Sequence, residues 1–359
     1  MTSMPQEYQL LSPLTIGQTH LKNRIVVSPM CQYSCVDGFA NDWHLVHLGS
    51  RAVGGAALIF TEACAITAQG RISPSDLGLW KDEQIEPLKR ITTFIHKTGS
   101  LAGIQLAHAG RKASSLPPWQ DRGRFVNEQE GGWPVVGPSP IPFDSDAPKP
   151  CELDITGIIL IKEAFIKAAK RAIDAGFDVI EVHAAHGYLL HSFLSPLSNQ
   201  RKDMYGGSLE NRMRFLLELT TELKAIMPHG MPLFVRISAT DWVDGGWDIE
   251  QSVALCKKLK IIGVDLIDVS SGGAVPYAKI PAAPCYQVPF AARIKSECQI
   301  MTGAVGLITE ANQANEVVTS QAADLVFLAR QMLRDPYFAL HAELALNQKP
   351  HWPEQYSRV

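Results

Sequence analysis

Short apolar runs rich in β-branched residues recur along the chain, each followed by a stretch whose apolar positions return with helical spacing. The runs are Arg24 to Val27, Ala57 to Thr61, Ala102 to Leu106, Asp178 to Val182, Leu233 to Ile237, Leu266 to Val269, Gln299 to Thr302 and Leu325 to Leu328. Between them, segments such as Leu153 to Ala175 and Leu209 to Met227 place apolar residues at i, i+3, i+4 and i+7, the pattern of a helix with one buried face. Gly176 and Gly263 follow two of these segments and suit helix C-caps. Strict β/α alternation with eight strands predicts a single-domain (β/α)8 (TIM) barrel over residues 1–359, with an open doubly wound sheet as the alternative. No G-x-G-x-x-G follows the first strand, which favours the barrel.

The longest interruption, residues 112–150, carries Pro117-Pro118, Gly131-Gly132 and a proline-rich stretch from Gly137 to Pro150. Because it follows the third strand, it is expected to cap the mouth at the strands' C-terminal ends. Residues 347–359 form a C-terminal tail.

Composition narrows the function classes. A net charge of -3 without long basic runs argues against nucleic acid or an anionic membrane as partner. No stretch approaches the ~20 apolar residues of a membrane span, and no secretory leader is evident, so a cytoplasmic small-molecule enzyme is expected. The seven cysteines lack paired spacing, which suits a reducing compartment. Cys31 and Cys35 make only a weak metal signal.

The chemistry concentrates after the fourth strand, where Glu181-Val-His-Ala-Ala-His-Gly-Tyr188 puts His183, His186 and Tyr188 at a strand's C-terminal end, the catalytic face of parallel α/β folds. Two imidazoles can donate to one substrate oxygen and a nearby phenol can deliver a proton. A metal reading of His-x-x-His lacks further ligands; Glu181 is expected to point away from the adjacent ring, and no metal is assigned. Gly303-Ala-Val-Gly306 and Ala329-Arg330 close the seventh and eighth strands, with Ser270-Ser-Gly-Gly273 alongside. Loops there commonly form a phosphate site, in which glycine lets the backbone approach the anion and arginine adds a charged fork.

Taken in order, Ser28-Pro-Met-Cys-Gln-Tyr33, Gln105-Leu-Ala-His-Ala-Gly-Arg-Lys112, His183-Ala-Ala-His-Gly-Tyr188, Ser195-Pro-Leu-Ser-Asn-Gln-Arg201, Tyr205-Gly-Gly-Ser-Leu-Glu-Asn-Arg212 and Ala329-Arg330 give a set that resembles the old yellow enzyme family, in its bacterial, thermophilic-like branch. The resemblance spans nearly the whole chain. It implies non-covalent FMN, a nicotinamide reductant (NADPH, with NADH possible), and hydride transfer to the β-carbon of an activated alkene such as an enone, enal, maleimide or nitroalkene. It further implies that His183 and His186 bind the activating oxygen and that Tyr188 protonates the α-carbon. Cys31 would lie at the flavin edge and Tyr33 on the substrate side. Ser28, Pro29, Met30, Cys31, Ala63, Gln105, Arg236, Ser271, Gly303, Gly306, Ala329 and Arg330 would make up the FMN pocket. The family has glycine where Ala329 stands, so the added methyl would crowd the phosphate if the backbone there needs a positive φ.

Two other readings are weighed: a different FMN barrel, of dihydroorotate dehydrogenase or dienoyl-CoA reductase type, and a non-catalytic flavoprotein that senses redox state through Cys31. The tail supplies a last expectation. Its Gln-Tyr-x-Arg ending resembles that of the same branch, where the arginine enters a neighbouring subunit's active site. This implies a homodimer, or a tetramer of dimers, with Arg358 near the partner's substrate.

Overall fold

The computed structural model describes residues 6–359. Eight parallel strands close into a barrel: Ile25–Val27, Leu58–Ala65, Leu101–Ala107, Val179–Ala184, Leu233–Ser238, Leu266–Ser270, Met301–Ala304 and Leu325–Leu328. Each pairs with its neighbours in sequence, and the eighth closes on the first. Nearly every strand residue is buried, because each strand faces packed side chains inside the barrel and helices outside. This is why the strands read as continuous apolar runs rather than alternating ones.

The helices pack by the expected stripes. Helix Ile155–Asp174 starts at Asp154, whose carboxylate accepts from Gly157 N at 2.7 Å, and it buries Ile158, Ile161, Phe165, Ala168 and Ala172. Gly263 ends helix Ile249–Ile262 with a left-handed φ of 98°, and Gly176 follows the earlier helix with φ 81°.

The lower end of the barrel is plugged. Phe60 lies between Phe234 and Phe327, with ring centroids 6.1 and 6.0 Å away. A hairpin, Leu14–Ile16 with Thr19–Leu21, drives Ile16 and Leu21 into the same cluster. Each buried side chain of this size contributes roughly 1.5–3 kcal/mol. A ligand therefore has access only at the C-terminal ends of the strands.

Most strand bounds shift from the sequence expectation, and two of the shifts change the picture. The seventh strand begins at Met301 rather than Gln299, because Gln299 takes a left-handed φ of 53° as the C-cap of helix Val288–Cys298. Gly303 consequently lies inside the strand, where a Cβ would sit 2.2 Å from the Phe327 ring. The second strand runs on past Thr61 to Ala65 through an irregularity between Phe60 and Ala63.

Residues 112–150 follow the third strand and contact loops at the strands' C-terminal ends. Trp119 meets Tyr33 edge to face at 5.7 Å. Arg111 donates to the carbonyls of Ile141 and Pro142 in this segment and to Ala274 beyond the sixth strand. In the tail, the Tyr356 hydroxyl is 3.2 Å from that of Tyr337, and Arg358 is exposed. Among the described residues no helix is long and apolar enough to cross a membrane.

Candidate active site

The fourth strand delivers His183 as its penultimate residue, and the chain then turns sharply. His186 adopts φ 61° and Gly187 φ 75°. A Cβ at Gly187 would lie 2.1 Å from Gly273 O, so only glycine fits where the loop beyond the sixth strand presses directly against the turn. Three rings converge as a result: His183 to His186 at 5.2 Å and His183 to Tyr188 at 4.9 Å, both edge to face.

The hydrogen bonds define what the rings can offer. Ala185 N donates to His183 Nδ1 at 3.3 Å, which leaves the proton on Nε2 and makes that nitrogen the donor. His186 Nε2 lies 2.7 Å from Ser270 Oγ, while His186 N donates to Ser238 Oγ. Burial, reinforced by Arg236, holds both imidazoles well below their ordinary pKa. They are neutral donors at physiological pH. Burial and the neighbouring Cys31 and Tyr33 push the Tyr188 phenol well above its ordinary value, keeping its proton in place.

Lys112 completes this corner. Its Nζ donates to His186 O at 2.9 Å and Gly273 O at 3.1 Å, tying the two loops together. Burial, with Arg111 nearby, lowers it to about 8.

On the opposite side, Cys31 and Tyr33 lie just past the first strand, Tyr33 with a strained φ of 49°. The Ala63 amide and the Tyr33 hydroxyl favour the Cys31 thiolate, but they are outweighed. Burial and the carboxylates of Asp76 and Glu62 push its thiol well up, so it is not a ready thiolate. Glu62 holds this loop through Gln32 N at 3.0 Å and bonds His44 Nε2 at 3.1 Å, which in turn meets Cys35 Sγ at 3.3 Å. Cys35, His44 and Glu62 are the one trio among the described residues with metal-ligand proximity, and their atoms already bond one another.

Across the barrel interior, Gln105 pairs in register with Ala63 and Glu181, and Arg236 with His183 and Asp268. Gln105 Nε2 donates to Glu181 Oε1 at 2.8 Å, and Arg236 Nε lies 3.1 Å from Asp268 Oδ2. Glu181 therefore faces the interior with His183, contrary to the expectation that it points away: residues two apart on a strand share a face.

Between the ends of the sixth, seventh and eighth strands lies a cavity of about 230 Å³, lined by Ser270, Gln287, Gly306, Ala329 and Arg330. Ser271 Oγ donates to Gln287 Oε1 at 2.6 Å, and Gln287 Nε2 donates to Val305 O. Ala329 has φ −99°, so its methyl meets no left-handed strain. Gly303 stays below this cavity, against Phe327. Ser28 sits buried at the end of the first strand with its Oγ unpartnered, followed by half-buried Pro29 and Met30.

Residues 9–349 match the NADH:flavin oxidoreductase / NADH oxidase family. The chain belongs to that family. It is 47% identical over 352 residues to the NADPH dehydrogenase of Bacillus subtilis (strain 168), covering 98% of each chain. Morphinone reductase superposes with TM-score 0.79 at 26% identity, over 98% of this chain and 93% of that one. A 2-naphthoyl-CoA reductase shares the fold at TM-score 0.84 and 24% identity, this chain spanning 53% of its length. The resemblance to the old yellow enzymes is thus borne out. The protein is an oxidoreductase that uses FMN and a nicotinamide reductant, and its relatives support ene-reductase-type activity.

Sequence reasoning passed over Lys112, Glu181, Asp268, Gln287 and the Glu62–His44 pair as working parts of the site. It placed Ser270 beside the pocket without seeing its bond to His186.

Proposed function

We propose that the protein reduces activated carbon–carbon double bonds of enones, enals, maleimides and nitroalkenes. The residues described would hold FMN, which would supply the hydride chemistry linking the nicotinamide to the alkene's β-carbon. His183 and His186 donate to the carbonyl or nitro oxygen and stabilise the enolate-like charge that develops there. Tyr188 transfers its proton to the α-carbon. The observation that carries the reading is the convergence of two neutral imidazoles and one protonated phenol at the barrel mouth.

The residues present suit the cofactor. Gln105 and Arg236 offer a hydrogen-bonding amide and a positive charge for the pyrimidine edge. Ser28, Pro29, Met30, Cys31 and Ala63 border it on the other side, where the buried Ser28 Oγ has no partner of its own. Ser271, Gly306, Ala329 and Arg330 surround the cavity that suits the phosphate. Tyr33, under Trp119, lines the substrate side. The neutral Cys31 thiol supports a role in packing and tuning the flavin edge over redox sensing. Seven free cysteines accord with a cytoplasmic location. We further assign the protein to a homodimer, or a tetramer of dimers, in which Arg358 reaches the partner's mouth.

The test is anaerobic NADPH oxidation driven by 2-cyclohexenone. Stoichiometric cyclohexanone is expected. A yellow protein that oxidises NADPH only with oxygen, and leaves enones, maleimides and nitroalkenes untouched, overturns the proposal.

A further inference from the structure

Beneath the mouth lie two buried carboxyls to which the reduction itself gives no role. Glu181 is fully buried on the fourth strand, and so is Asp268 on the sixth. Arg236, on the fifth strand, is the cation both carboxyls feel. It forms an ion pair with Asp268, whose two oxygens have no hydrogen bond. Glu181 accepts from Gln105 Nε2 through Oε1, and its Oε2 has no partner. His183 shares the interior with them and is held neutral.

One guanidinium cannot neutralise two carboxylates. With both ionised, the group would carry a net negative charge in a site sealed below by the phenylalanine plug, and burial disfavours that state strongly. Burial and the Asp268 charge both push the Glu181 carboxyl well up. A neutral Glu181 pairs Asp268 with Arg236 and still offers its carbonyl oxygen to Gln105. A glutamine amide has two ends, and the neighbour that binds one end decides where the other points. Since Glu181 Oε1 engages Nε2 from the neighbouring strand, the Gln105 oxygen is the end left for a ligand.

We propose that Glu181 is a positioning residue for the flavin, which as an uncharged acid beneath the site turns the Gln105 oxygen toward the cofactor's pyrimidine edge and leaves the Arg236 charge opposed by Asp268 alone. This rests on the assignment of Gln105 and Arg236 to that edge. The N3–H of the pyrimidine is the donor that a carbonyl oxygen would accept from, and the charge of Arg236 would favour an anionic reduced flavin over the oxidised one.

The experiment measures FMN affinity, by fluorescence quenching on adding FMN to apoprotein, and the flavin midpoint potential, in Glu181→Gln, Glu181→Leu, Gln105→Leu and the double Leu variant. Glu181→Gln keeps an uncharged acceptor. It is expected to hold affinity and the reduced-to-oxidised binding ratio within about threefold, a shift under ~15 mV for a two-electron couple. Glu181→Leu frees the amide and is expected to weaken FMN by about tenfold, the scale of one hydrogen bond. Adding it to Gln105→Leu should cost no more. A rise in potential beyond ~30 mV in Glu181→Gln, equivalent to tenfold, means a negative charge was removed and overturns the inference. Should Glu181→Leu fail to fold, that measurement decides alone. If Gln105→Leu leaves affinity and potential unchanged, the assignment of Gln105 to the flavin fails. If Gln105→Leu weakens binding and Glu181→Leu does not, only the role given to Glu181 fails.

Discussion

Ser270 Oγ lies 2.7 Å from His186 Nε2 and 3.4 Å from its alternative acceptor, Gln287 Oε1. Ser270 thereby fixes the direction of the His186 ring through Nε2, while Ala185 N fixes that of His183 through Nδ1. Two histidines three apart are thus oriented through different nitrogens.

Replacing Ser270 with alanine removes that direction. The account expects roughly a 3- to 10-fold loss in the rate at which the reduced enzyme transfers to enones, the worth of one hydrogen bond. Reduction by NADPH should change less. Stopped-flow traces of the two half-reactions decide, and equal losses in both would give Ser270 a general packing role.

Lys112 gives the activity an alkaline limit. Its pKa is lowered to about 8, so Nζ is charged below that pH and neutral above it. The His186 and Gly273 carbonyls lose a charged donor as pH rises past 8. Enone turnover should fall there with an apparent pKa near 8, and Lys112→Arg should carry the limb to higher pH because arginine stays charged. A profile unchanged by that substitution would detach the limb from Lys112.

Much of the barrel was legible because strands buried on both faces stay apolar from end to end, as Leu233 to Ile237 and Leu325 to Leu328 do. The seventh strand was misplaced because nothing local distinguishes Gln299 as a left-handed cap. The triplet His183, His186 and Tyr188 is contiguous, so its convergence could be read from one segment. Ser270 pairs with His186 across 84 positions, and Lys112 with the same residue across 74. Such pairings are set by barrel register, which no short motif encodes. Glu181 was misjudged for a simpler reason, a miscounted strand period.

Ala329 departs from the family's glycine, yet its φ of −99° lies outside the region that favours glycine. Ala329→Gly should therefore change the FMN dissociation constant by less than about threefold, since neither residue is strained there. Tighter binding by tenfold or more in the glycine variant would show that the methyl crowds the phosphate.

The tail is held on its own chain by the Tyr356–Tyr337 contact, with Arg358 beyond it exposed. Removing residues 357–359 keeps that anchor. The expected result is a raised KM for enones with unchanged FMN content and melting temperature. Unaltered kinetics, or a monomer by light scattering at working concentration, would leave Arg358 without a role in a neighbouring site.

Tyr188→Phe tests the central claim most directly, because it removes one proton and leaves the ring in place. Measured by stopped flow, transfer from the reduced enzyme to 2-cyclohexenone should slow by about 10²- to 10⁴-fold, the usual contribution of a general acid, while reduction by NADPH keeps its wild-type rate. Equal rates in the two proteins, or equal slowing of both half-reactions, would contradict the assignment of Tyr188 as the proton donor.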